Sequence, residues 1–168
     1  MTVGDSEKSA SVYREMLKSN PDDYKAHIGI ARVELLNEKY DLTRKHLGLA
    51  AAAGASDTVL KREYALLAMN IGEFDKARVL VEDIIDVMPD RTEGLVMLAS
   101  IIKESGSREE FIKCIRRIEG EEKGKFAALM FRAELGLQDH NLNEALSFYK
   151  SALELQHDNL YVREKIVR

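Results

Sequence analysis

The chain has 168 residues, 45% of them hydrophobic and 32% charged, with 29 acidic against 25 basic side chains and a formal charge of −4. That balance argues against a protein built to neutralise nucleic-acid phosphates, and a single cysteine, Cys114, excludes an internal disulfide. No apolar stretch reaches the roughly 18 residues of a membrane-spanning helix.

Residues 1–5 read as a tail, without the basic start and apolar run of a signal peptide. The expected location is the cytoplasm, or the periplasm if the chain is a piece of an exported protein. Residues 6–19, with Tyr13, Met16 and Leu17 on one side, predict a helix. Asn20-Pro21-Asp22-Asp23 breaks it, because proline ends one helix and helps open the next. Ile30, Val33 and Leu36, with Ala31 beside them, then mark one face of a helix, and Leu47, Ala50 and Ala51 the face of a second. Asp57 is a candidate N-cap for the helix after these. Gly72 and Gly106 predict left-handed stops between helices. Met88-Pro89-Asp90-Arg91 is a second break, and Ser107 a second candidate cap. The helix around Cys114 is expected to end near Glu119, before the polar run Gly120-Glu121-Glu122-Lys123-Gly124.

Alanine recurs at 31, 65, 99 and 133, every 34 residues, and the two prolines lie 68 apart, twice that step. With unit starts at Tyr24, Thr58, Thr92, Phe126 and Leu160, three further columns stay apolar. Position ten holds Val33, Leu67, Ile101 and Leu135. Position twenty-four holds Leu47, Val81, Ile115 and Tyr149, and position twenty-seven Ala50, Ile84, Ile118 and Ala152. A fixed period of this length means stacked supersecondary units. Position eight needs small residues where two helices approach closely. Its expected counterpart, position twenty, holds Ala77 and Ala145 but also Thr43 and Phe111, so the third hairpin should be looser or rotated.

These columns resemble the tetratricopeptide repeat (TPR) family. Tyr64, Ala65, Gly72, Phe74, Ala77, Val81 and Pro89 of the second unit fit its pattern best. The fourth unit follows with Ala133, Asn143-Glu144-Ala145-Leu146, Tyr149 and Ala152-Leu153-Glu154-Leu155. The family's position-four tryptophan is replaced by His27, Lys61, Leu95 and Leu129, and Arg132 occupies a usually apolar column. The resemblance implies an all-α, right-handed solenoid of antiparallel helix pairs. It would form one domain over 6–168: a partial unit at 6–23, units at 24–57, 58–91, 92–125 and 126–159, and the start of another at 160–168. Leu160, Ile166 and Val167 give that last helix apolar character where a solenoid end is normally polar. A segment of a longer array, or self-association through the ends, is implied.

Chemistry is sparse. His27, His46, His140 and His157 fall at four different unit positions, no pair at metal-ligand spacing. Cys114 reads as buried filler, and the glycines form no phosphate loop. No catalytic residue, cofactor or metal is expected.

In the resembled family, positions two, five, nine and twelve of each first helix line the concave face. Carried over, these are Lys25, Ile28, Arg32 and Leu35, then Val59, Arg62, Leu66 and Met69. The third unit offers Glu93, Val96, Ser100 and Lys103, and the fourth Ala127, Met130, Glu134 and Leu137. Such a lining suits an extended peptide or amphipathic helix with a few acidic side chains. The family's clamp for a partner's C-terminal carboxylate needs lysine, asparagine, asparagine, lysine and arginine where this chain has Ile28, Arg32, Glu63, Glu93 and Met97, so chaperone tails are not expected partners. The function expected is a non-catalytic protein-interaction scaffold. The alternative is a self-assembly module, a homo-oligomer joined through its ends or convex face.

Overall fold

The computed structural model describes residues 3–167; Met1, Thr2 and Arg168, at the outer edges of the expected tail and last unit, lie outside the described residues. Among the described residues the secondary structure is wholly helical. Helices α1 (Val3–Ser19), α2 (Tyr24–Leu36), α3 (Tyr40–Ala52), α4 (Asp57–Asn70) and α5 (Phe74–Ile84) lie in one compact unit, Met1–Pro89. Helices α6 (Arg91–Ser105), α7 (Arg108–Glu119), α8 (Lys125–Gln138), α9 (Leu142–Leu155) and α10 (Leu160–Val167) lie in the other, Asp90–Arg168. A 3₁₀ turn at Glu122–Gly124 joins α7 to α8. The division falls on the second proline break. Within each unit, helices consecutive in the chain pack as neighbours.

Helices α2, α4, α6 and α7 open on a side-chain cap that the sequence supplies. The Asp23 carboxylate accepts from the backbone N–H of Lys25 at 2.9 Å and of Ala26 at 3.1 Å, opening α2. Asp90 accepts from Thr92 N at 3.0 Å, and Ser107 from Glu110 N at 3.1 Å. Ser56, one residue before the expected Asp57, caps α4 by accepting from Val59 N at 3.4 Å. Asp57 instead sits in the first turn, where its charge favours the positive end of the helix dipole. α7 ends at Glu119 as the sequence implied.

Three of the four turns between paired helices share one device. Position fifteen is left-handed in three units: Glu38 at φ 59°, Gly72 at φ 78° and His140 at φ 56°. Gly106, the fourth, is extended at φ −99°, so the left-handed expectation fails there. Its glycine answers to space: a Cβ would stand 2.6 Å from Ile102 Cγ2 and 2.8 Å from the Ile102 carbonyl.

All four apolar columns are buried, from Ala31, Ala65, Ala99 and Ala133 to Ala50, Ile84, Ile118 and Ala152. Close approach is real where small residues meet: a Cβ on Gly136 of α8 would lie 3.1 Å from Ala145 N of α9. In the third hairpin the buried Phe111 stands at the alanine position, meeting Phe131 edge-on at 5.6 Å. The α6–α7 pair is accordingly the loosest of the four hairpins. No helix among the described residues is long and apolar enough to cross a membrane.

Candidate partner-binding faces

In the first unit, the candidate residues lie on α2 and α4. Lys25 is exposed; Ile28 and Leu35 are buried in the core; Val59, Leu66 and Met69 are half-buried. The two arginines converge on a residue that the column reading placed only in the clamp test. Glu63 is 3% exposed. Its Oε2 accepts from Arg32 Nε at 2.9 Å, and its Oε1 accepts from both Arg32 Nη2 and Arg62 Nη1. Two guanidiniums thus meet on one buried carboxylate beside a half-exposed apolar row. A carboxylate pinned by charged donors also fixes both arginine forks in place.

In the second unit, Val96, Ser100, Lys103, Met130 and Glu134 are half-buried on α6 and α8. Ser100 Oγ donates to the Val96 carbonyl at 2.9 Å, and Lys103 Nζ donates to Glu134 Oε2 at 3.0 Å. Burial opposes the Lys103 ammonium, but the Glu134 and Glu104 carboxylates outweigh it and hold its pKa above the ordinary lysine range. Glu93, Ala127 and the exposed Leu137 complete this face. At its centre a lysine is paired with glutamate, where the first unit's face has two arginines on one buried glutamate.

Arg32 and Glu63 are 31 residues apart, as are Lys103 and Glu134, and Arg108 and Asp139. That spacing is one repeat less three residues. Residues at the same unit position therefore do not face each other across a pair of stacked units; the partner lies about one helical turn earlier. Cys114 is buried, its thiol donating to the Leu95 carbonyl at 3.6 Å. Among the described residues, no three His, Cys, Asp or Glu side chains gather as a metal site requires.

No protein-family model matches the chain, and no curated protein matches it. Solved structures do. A tetratricopeptide repeat protein from Parabacteroides merdae superposes with a TM-score of 0.84 at 16% identity, over 98% of this chain and 64% of that one. YrrB, described as a TPR protein with an unusual peptide-binding site, gives 0.61 at 16% identity over 97% and 84%. MamA gives 0.62 at 14% identity over 92% and 94%. The present chain thus spans less than two thirds of the Parabacteroides protein. At these identities the likeness shows the fold: the chain folds as a tetratricopeptide-type stack of helical hairpins.

Proposed function

We propose that the protein is a non-catalytic interaction scaffold that binds an acidic, amphipathic peptide or helix of a partner protein on its first-helix faces. One observation carries this reading: half-exposed Val59, Leu66 and Met69 beside the fixed Arg32–Glu63–Arg62 cluster, with Lys25 exposed among the same candidate residues. Apolar anchors would supply most of the affinity, at about 25 cal/mol per Å² buried, and methionine adapts to varied partner shapes. The exposed Lys25 ammonium would select acidic side chains. YrrB, with its peptide-binding site, shares the fold and lends support as an analogy.

Selection from a displayed peptide library tests this. Enriched sequences should alternate apolar and acidic residues. Their affinity should fall at least about tenfold for the double variant Lys25→Glu, Met69→Glu and stay unchanged for Val79→Glu on exposed α5 surface. Reversing Arg32 itself is avoided, since it would set a second carboxylate against the buried Glu63. No enrichment, or equal loss with the α5 variant, overturns the proposal.

A second reading, self-association, rests on the apolar surface of the second unit, where Leu142, Leu160 and Tyr161 are exposed. A mass that doubles with concentration in light scattering supports it; a constant monomer mass excludes it.

A further inference from the structure

The four buried polar or charged side chains among the described residues, His27, Glu34, Thr43 and Glu63, all belong to the first unit. His27 sits on α2 and faces His46 on α3, Nδ1 to Nδ1 at 3.2 Å, with ring centroids 5.4 Å apart. Its other nitrogen, Nε2, stands 3.0 Å from the carbonyl of Pro21, in the segment between α1 and α2. A carbonyl only accepts, so His27 Nε2 carries a hydrogen. Neutral His27 then presents a lone pair at Nδ1, and His46 Nδ1 is the donor between the rings. His46 keeps its own lone pair at Nε2.

We propose that His27 and His46 form an acid-sensitive latch that closes α2, α3 and the Pro21 segment on one another. The proton count follows from the hydrogen bonds. One added proton goes to His46 Nε2 and leaves the ring-to-ring bond intact. A second must occupy the lone pair of His27 Nδ1, setting N–H against N–H between two cations, and the latch opens. Even the first proton is disfavoured: burial and the neighbouring His27 push the His46 pKa below its ordinary value. Lys45 on α3 and Arg14 on α1 push the same way, and Glu34 on α2 opposes them. Glu34 is only a partial counter-charge. Arg14 Nη2 approaches its Oε1 at 3.9 Å and Lys39 Nζ its Oε2 at 3.3 Å, yet Oε2 accepts no well-formed hydrogen bond among the described residues.

The sign is fixed by linkage. A folded-state histidine pKa below the unfolded value means that the unfolded chain binds more protons. The stability that the neutral latch contributes is present above about pH 6.5 and is lost as pH falls through the folded value. The second unit is an internal reference, because its two histidines, His140 and His157, are exposed.

Two measurements on the intact chain test the latch. Ring-proton NMR should show His46 titrating below the ordinary histidine value of about 6.5. Amide exchange, corrected for the intrinsic pH effect, should accelerate about tenfold in α2 and α3 between about pH 7.5 and 5.5, with α8 and α9 unchanged. The His46→Gln variant should lose that acid response. A His46 midpoint at or above about 6.5, acceleration shared by both units, or an undiminished response in His46→Gln overturns the proposal. The NMR titration needs no substitution, so it decides even if the variant fails to fold.

Discussion

Glu63 anchors the first unit's face through two guanidiniums while it is itself almost wholly buried. Leucine in its place removes the carboxylate and leaves Arg32 and Arg62 side by side. Breaking a buried pair costs about 3–5 kcal/mol. Arg32 is half exposed, so water screens part of that loss. Glu63→Leu is expected to destabilise by about 1–3 kcal/mol in urea unfolding, and Arg32→Met together with it should recover part of the loss. Glu38 and His140 carry a different residue-level cost: both hold a left-handed backbone that glycine adopts freely. Glu38→Gly and His140→Gly should each stabilise by about 0.5–1 kcal/mol in the same assay. The extended Gly106 → Ala change should instead destabilise, because the new Cβ meets the Ile102 backbone.

Hairpins form where small residues let two helices close. Gly136 tests this at the level of the element. Alanine there improves helix propensity by about 1 kcal/mol, but its Cβ meets backbone atoms of Ala145 within 3.1–3.3 Å. Overpacking of this kind costs about 1–3 kcal/mol. Gly136→Ala is expected to lower stability by up to about 2 kcal/mol, and thermal unfolding checks it. Helix identity and pairing were legible in the sequence because four columns keep one period and each marks a buried stripe. The loose third hairpin was legible too, from Phe111 at an alanine position. The turn was half legible: Gly72 announces a left-handed residue, whereas Glu38 and His140 conceal one. The Gly106 error has a physical origin, since glycine serves left-handed turns and close approaches alike, and only coordinates separate the two.

Across the whole molecule, each compact unit draws on a different interior. The first buries charge and histidine. Among the described residues the second buries no charged side chain, the only polar groups on its buried side chains being the Cys114 thiol and the Tyr149 hydroxyl, and Ala133, Tyr149, Ala152 and Val162 close it near its last helices. The candidate faces were legible only in outline. A column says which side of its helix a residue takes, not whether a neighbouring helix covers that side, and so Ile28 and Leu35 appear in the lining although both are buried. The Glu63 anchor and the His27–His46 contact were hidden for a related reason. Each joins different helices and different unit positions, and a period aligned with itself cannot show an offset of three. That offset also makes the repeats unlike beads on a string. A cation at position nine of one unit is answered by a glutamate at position six of the next, as Arg32 is by Glu63. Exchanging those two units would bring Leu66 against Gly29 and strand both charges. The stack therefore has a word order: each unit is spelled to be read after one particular neighbour, and a shuffled gene would keep every helix yet lose its syntax.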